Sequence, residues 1–261
     1  MGESMIAALL LAAAADPRAA ALATFASAQK TVVGVRIVAK LTMGGHDREE
    51  KEETVGTVVD PSGLTVVPSV AADPGELMQA LLRGRPEMHF EASVTSTTLI
   101  MPDGTEVDAD VILKDTDLDL AFVRPRTPLA KPVDAVQVKA GRALPALLDE
   151  LIVVGRYGRA QNRAPWVATA QVQAIVKGPR PYAMCGEASH SAAGTVAYSV
   201  DGAPAGILTA HVGKELEPSQ MRMLSAGAGG LAVVLRSMDD LAGALEQARK
   251  APSPAPTAAA K

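Results

Sequence analysis

The chain is poor in cysteine and in aromatic residues. Cys185 is the one cysteine among 261 residues, which excludes an internal disulfide and any metal cage built from cysteine thiolates alone. Phe, Trp and Tyr make up 3% of the residues, whereas hydrophobic residues as a whole make up 48%. The core is therefore expected to consist of valine, leucine, isoleucine and alanine, with Cys185 as a small buried hydrophobe.

Long runs of one charge are also missing. The chain has 25 Lys and Arg against 29 Asp and Glu, and the basic residues are scattered along it. This pattern argues against the basic patch that binding to nucleic acid or to an anionic membrane requires. The four histidines form no pair at metal-ligand spacing, so we expect neither a metal nor a cofactor.

No hydrophobic run predicts a membrane span in the mature chain. The apolar run at residues 5–15 (MIAALLLAAAA) is too short to cross a bilayer. Because it ends in small residues, as a signal-peptidase site does, residues 1–15 are predicted to be a signal peptide and the protein to be exported, periplasmic or extracellular. Glu3 precedes the run and no Lys or Arg does, so an ordinary alanine-rich helix is the alternative.

Alternating apolar residues predict many short strands separated by turn sequences such as Asp103-Gly104. This order favours a barrel or sandwich over alternating strands and helices. The charged residues 46–53 have no apolar face and are expected to form a solvated hairpin loop. The strands are predicted at residues 31–42, 55–59, 64–67, 93–101, 106–113, 118–123, 151–154, 166–176, 194–199, 205–210 and 231–235.

Three helices and two irregular segments complete the prediction. One helix is expected at residues 20–29 and another, from Asp240, at the C-terminal end. Asp73, Pro74 and Glu76 form a helix-start signature, which predicts an inserted helix over residues 73–82. The proline-rich residues 124–136 are expected to be a linker, and residues 251–261 a Pro/Ala tail without a core.

Several segments, in the same order, resemble the HtrA/DegP-like branch of the trypsin-like serine proteases. Residues 55–71 (VGTVVDPSGLTVVPSVA) are similar to the family's strand, turn and "TNNHVV" segment, and residues 99–122 contain its Asp-Gly hairpin followed by Asp-Leu-Ala. Residues 189–196 resemble its "GNSGGPLV" loop, and residues 201–208 its "DG.VIGI" strand. The resemblance extends over residues 20–250.

The resemblance implies an all-β fold of two packed antiparallel β-barrels, with a short inserted helix and a C-terminal helix. The first barrel would cover residues 30–125 and the second residues 137–236. In this family the active site lies in the cleft between the barrels. Function must nevertheless be argued from the site, because many functions share one fold.

The resemblance assigns three positions of a catalytic triad. The nucleophile falls on Ser191, the orienting carboxylate on Asp119, and the histidine position on Ser69. Serine does not accept a proton at neutral pH as imidazole does, so Asp119 is expected to be vestigial, with a structural role in its turn. Loss of the base alone lowers turnover by on the order of a million-fold.

The resemblance also implies an altered oxyanion hole. The N–H groups of Ser189 and Ser191 occupy its positions, and the glycines of the family loop are replaced by Ser189, Ala192 and Ala193. Glycine lets this loop turn sharply and aim its N–H groups, so a hole built from these residues is expected to be distorted or closed. His190 as a substitute base, alone or with Cys185, stays an open alternative.

Three functions are compatible with these features of the sequence. The first is a catalytically inactive homologue that acts as a binding or scaffold domain for a protein or peptide partner, as a monomer or an oligomer. The second is a weakly active serine endopeptidase with Ser191 as nucleophile and a relocated base. The third is a structural subunit of a larger bacterial assembly, which the Pro/Ala tail suggests.

Overall fold

The computed structural model describes residues 16–75, 78, 90–186, 190–211 and 231–252. The chain begins with helix α1 (Pro17–Ala28), where Asp16 accepts a hydrogen bond from the N–H of Arg18 and Pro17 occupies the first turn. Proline suits this position because its missing N–H would have no partner there. The helix predicted at residues 20–29 is therefore present and starts three residues earlier.

The first six strands form a closed antiparallel barrel in the order β1-β2-β3-β6-β5-β4. Their side chains alternate between two apolar surroundings: Val67 points into the barrel, whereas its neighbour Val66 belongs to the cluster shared with the second barrel. The strands are β1 (Val32–Met43), β2 (His46–Val58), β3 (Thr65–Pro68), β4 (Phe90–Ile100), β5 (Glu106–Asp115) and β6 (Leu120–Pro125).

The charged segment expected to be a loop is part of strand β2. The chain reverses at Gly44 and Gly45, both at positive φ, and His46 then pairs directly with Met43. Two successive positive φ angles are the geometry of the tightest hairpin turn, which glycine adopts without steric cost. The loop prediction was wrong because a hairpin with both faces in water needs no apolar alternation.

The other six strands form a second closed antiparallel barrel in the order β10-β11-β12-β9-β8-β7. Strand β9 carries no alternating pattern and was not predicted. The other five coincide with predicted strands, and their bounds differ from the predicted ones by at most two residues. They are β7 (Glu150–Arg156), β8 (Pro165–Val176), β9 (Tyr182–Gly186), β10 (Val196–Ser199), β11 (Pro204–His211) and β12 (Ala232–Ser237). The predicted architecture of two antiparallel barrels is thus confirmed, and it is compatible with a trypsin-like fold.

The apolar cluster that contains Val66 joins the two barrels, helix α1 and the C-terminal helix. It contains Phe122 from the first barrel, Ile207 from the second, Ala28 from α1, and Leu241 and Leu245 from the C-terminal helix. That helix, α3 (Met238–Lys250), is capped by Ser237, whose hydroxyl accepts from the N–H of Asp240. The C-terminal helix is confirmed, with its first residue two positions before Asp240.

Two short features bear on the predicted site. Helix α2 (Ser69–Ala72) follows β3 directly. Of the predicted inserted helix, positions 74, 75 and 78 are helical, and the other residues after Gly75 lie outside the described part of the chain. Within the described ranges, no helix is both long enough and apolar enough to cross a membrane.

Candidate functional site

Asp119 lies where the first barrel faces the second, immediately before β6. Its φ of 58° is in the left-handed region, and its side chain is almost fully buried. Asp adopts this conformation more readily than most residues, because its short polar side chain can hydrogen-bond locally. The position therefore directs a carboxylate into the protein instead of into solvent.

One oxygen of this carboxylate binds two side chains of the second barrel. Oδ2 of Asp119 accepts from Nη2 of Arg236 at 2.6 Å and from Nδ1 of His211 at 2.7 Å. The Arg236 side chain is 3% exposed and lies 4.9 Å from the centre of the Tyr182 ring, which also packs against His211. We call Asp119, Arg236, His211 and Tyr182 the Asp119 cluster. It neutralises a buried cation across the barrel interface.

The backbone of Asp119 brings Ser69 to the same place. The carbonyl oxygen of Asp119 accepts from the N–H of Ser69 at 2.9 Å and from Oγ1 of Thr209 at 2.5 Å. Ser69 is buried, and its hydroxyl has no hydrogen-bond partner among the described residues. Two of the three residues that the family resemblance assigned to a triad are therefore adjacent, but they meet through the backbone.

The carboxylate of Asp115 stabilises the turn before β6. Oδ1 of Asp115 accepts from the N–H groups of Asp117 and Leu118, both at 3.1 Å. This is the role that the sequence interpretation gave to the side chain of Asp119. The Asp119 carboxylate forms side-chain bonds to residues that are 92 and 117 positions away in the sequence.

Ser191 lies on another wall of the barrel interface. It is exposed, in the short 3₁₀ turn His190–Ala192, and it lines a cavity of about 90 Å³. Neither Ser69 nor Asp119 lines this cavity. The predicted oxyanion residue Ser189 and the side chain of His190 lie outside the described residues. Besides Ser191, the cavity is lined by Gly34, Glu53, Thr54, Val55, Arg156, Tyr157 and Gly158.

The turn after Ser191 depends on Gly194 instead of the glycines of the family loop. Gly194 has a φ of 93°, and a Cβ there would lie 2.3 Å from the carbonyl oxygen of Val55. Its own carbonyl oxygen accepts from Oγ1 of Thr57 at 2.8 Å. Ala192 and Ala193 are buried. The loop is therefore packed tightly against β2 of the first barrel, with alanine side chains inside.

Two charged side chains, those of Glu53 and Arg156, line the Ser191 cavity, and Glu53 forms a pair with Arg163. Nε and Nη2 of Arg163 donate to the two carboxylate oxygens of Glu53 at 2.7 and 2.8 Å. Arg156 donates to three backbone carbonyls, those of Val32, Arg163 and Gln29, at 2.9 to 3.2 Å. Burial lowers the pKa of Arg156 below its ordinary value. The cavity thus has one cation whose hydrogen-bond acceptors are all neutral.

Cys185 does not offer a nucleophile near this loop. It is half-buried, and burial raises the pKa of its thiol to about 11. Because the thiolate is the reactive form, the thiol is unreactive near neutral pH. Among the described residues, no three His, Cys, Asp or Glu side chains are grouped so that they could hold a metal ion.

Sequence reasoning missed Arg236 and Arg156 as site residues. Each is a charged residue at the end of an otherwise apolar strand, Arg236 in AVVLRS and Arg156 in ELIVVGR. A cation in a strand that is buried on both sides needs a partner, and that is a signal the sequence does contain. His211 was expected to be a satisfied histidine, and its bond to Asp119 satisfies it.

No family model matches the chain, and no curated protein matches its sequence.

Proposed function

We propose that this protein is a non-catalytic relative of the HtrA-like, trypsin-like serine proteases and that it acts as a binding or scaffold domain for a protein or peptide. The observation that carries the proposal is the sharing of one carboxylate oxygen of Asp119 between Arg236 and His211. The two-barrel fold supports it, because it is compatible with a trypsin-like fold.

The chemistry of the Asp119 cluster argues against proton transfer. In a serine triad the carboxylate stabilises the positive charge that the imidazole gains when it takes the proton of the serine. Here Arg236 already supplies a positive charge to the same oxygen of Asp119. The carboxylate is thus already engaged by a cation and is not reserved for an imidazole that takes up the proton of a serine.

The position of Ser191 supports the same proposal. Ser191 lines a cavity formed with Glu53 and Arg156, whereas Asp119 and Ser69 lie outside that lining. An exposed hydroxyl in a cavity with an arginine is suited to binding a polar group.

Labelling with an activated fluorophosphonate probe tests this proposal. We expect the wild-type protein to react with the probe no faster than Ser191→Ala, while an active trypsin treated in parallel is labelled completely. Hydrolysis of denatured casein should likewise be the same for the two proteins. Rapid labelling that Ser191→Ala abolishes would show an activated serine and contradict the proposal.

The hydrogen bond from His211 to Asp119 favours a second candidate, a weakly active serine endopeptidase with a relocated base. It fixes the histidine tautomer as an orienting carboxylate does. In that case casein cleavage would be lost in both His211→Ala and Ser191→Ala. Cleavage that survives either substitution excludes this candidate.

Export to the periplasm or the extracellular space is part of the proposal and rests on the apolar segment at residues 5–15. Mass determination of the mature chain from a secreting host tests it. A chain starting near residue 16 is the expected result, and a chain that keeps Met1 or Gly2 contradicts it.

A further inference from the structure

The Ser191 cavity is lined by a cation, Arg156, that no acidic group among the described residues neutralises. Among the described residues, the guanidinium of Arg156 donates to carbonyl oxygens alone, and no ion pair includes it. Charges that lose contact with water are normally paired, because desolvation is costly. Arg156 therefore favours an anion beside it.

The neighbouring carboxylate does not fill this role. Glu53 lines the same cavity, but both of its oxygens accept from Arg163 in a two-pronged pair. The next pair along the sheet is also complete, since Arg36 donates to both carboxylate oxygens of Glu106. The charges of these four residues cancel, and the positive charge of Arg156 remains.

The size and shape of the cavity limit what fits. Its volume of about 90 Å³ corresponds to the space of roughly three water molecules in the liquid. That is enough for a carboxylate group. A guanidinium presents N–H groups in a fork that matches two carboxylate oxygens. Ser191, which lines the same cavity, offers a further polar contact for such a group.

We propose that the Ser191 cavity is a carboxylate-binding site, in which Arg156 pairs with the carboxylate and Ser191 contacts it. The ligand is the C-terminal carboxylate of a peptide or a small organic acid, which share this chemistry. The inference rests on the proposed function, in which Ser191 serves binding and not cleavage. It names the group that the domain would recognise.

NMR titration at low ionic strength tests the site, because salt screens such contacts. The probes are N-acetyl-alanyl-alanine with a free carboxylate, the same dipeptide with a C-terminal amide, and sodium acetate. We expect the free acid to shift the backbone amide signals of Tyr157 and Gly158 and the Nε–H signal of Arg156. The amide should bind at least tenfold more weakly. Equal binding of acid and amide, or no shift with either carboxylate, overturns the proposal.

Acetate distinguishes the two sources of the carboxylate. If acetate binds as tightly as the acetylated dipeptide, the site recognises a small organic acid. If the dipeptide binds at least tenfold more tightly than acetate, the site recognises a peptide terminus. Either result supports a carboxylate site, and both are independent of the fluorophosphonate reaction that tests the absence of catalysis.

Three variants connect the binding to the named residues. Arg156→Met should weaken binding of the free acid at least tenfold. Ser191→Asp keeps Arg156 and places a negative charge at an exposed position of the cavity wall, and it should have a similar effect even if Arg156→Met folds poorly. Arg159→Gln is the control, because Arg159 is exposed in the adjoining turn and does not line the cavity. Binding that both cavity variants leave unchanged overturns the proposal.

Discussion

The Asp119 cluster and the Ser191 cavity are two charged regions at the same barrel interface, and they treat charge in opposite ways. In the cluster, a buried arginine meets a buried carboxylate at 2.6 Å, and a histidine binds the same oxygen. In the cavity, the half-buried Arg156 donates to three carbonyl groups, and no acidic side chain among the described residues neutralises its charge. The first arrangement is complete within the protein, while the second is completed by something outside it.

This difference separates stability from binding. Removing one partner of a buried ion pair lowers the free energy of unfolding strongly, because the other partner is then an uncompensated buried charge. Removing a cation that is bonded only to neutral groups costs the protein less stability, because no opposite charge is left unpaired. While it is present, its positive charge is available to a ligand. The following experiments test this contrast, starting with the largest expected effect.

Asp119→Asn should destabilise the protein strongly. Asn tolerates the left-handed conformation of this position, so the change removes mainly the charge that neutralises Arg236, which is 3% exposed. We expect a loss of about 3 to 5 kcal/mol in the free energy of unfolding, measured by urea denaturation. Asp117→Asn is the matched control, because the Asp117 side chain is 73% exposed. A loss below about 1 kcal/mol for Asp119→Asn would mean that the pair does not stabilise the interface.

Arg156→Met should have a much smaller effect on stability. The three hydrogen bonds of Arg156 to carbonyls are lost, but water reaches the half-buried position and the cost of desolvating a charge is relieved. We expect a loss of about 1 kcal/mol, measured as for Asp119→Asn and compared with Arg159→Met. If Arg156→Met costs as much as Asp119→Asn, the two regions do not differ as described.

The smallest expected effect is on the pKa of Glu106, whose pair with Arg36 lies next to the Glu53–Arg163 pair of the Ser191 cavity. The guanidinium of Arg36, hydrogen-bonded to both oxygens of Glu106, holds the pKa of Glu106 below its ordinary value of 4.5. Because the folded-state pKa is lowered, the stabilisation by this pair is present above pH 4.5 and is lost as the pH falls through the folded-state pKa.

Carbon-13 NMR titration of the carboxyl group measures this pKa directly. Wild-type Glu106 should titrate with a midpoint below 4.5, and Arg36→Gln should bring the midpoint back towards that value. An unchanged midpoint in the variant would show that Arg36 is not the cause. The surface pairs beside the cavity would then contribute less to its electrostatics than their geometry indicates.

Local patterns in the sequence were sufficient to predict most of the strands. Alternating residues such as Val66 and Val67 point to different apolar clusters, and Gly104, with a φ of 88°, forms the expected turn. Strand β9 was missed because its five residues carry no alternation. Segment 46–53 was assigned to a loop because charge on every residue hides a strand that has water on both faces.

The site was less predictable, since its contacts join residues that are far apart in the chain. Ser69 and Asp119 could be placed together through the family resemblance, and the structure brings them within one hydrogen bond. The partners of the Asp119 carboxylate lie in β11 and β12, and no local rule selects them among the other polar residues. The cavity around Ser191 likewise depends on how β2, β7 and the 3₁₀ turn meet.

The hydrogen bonds from Arg124 to the end of helix α3 have a consequence for the order in which the protein folds during synthesis. Its guanidinium, at the end of the first barrel's last strand, donates to the carbonyls of Ala248 and Ala251 at 2.6 and 2.9 Å. These partners are synthesised 124 and 127 residues later. The strands of the first barrel can pair before synthesis of the chain ends. The apolar face that contains Phe122 is fully buried only after the last turn of α3 has left the ribosome.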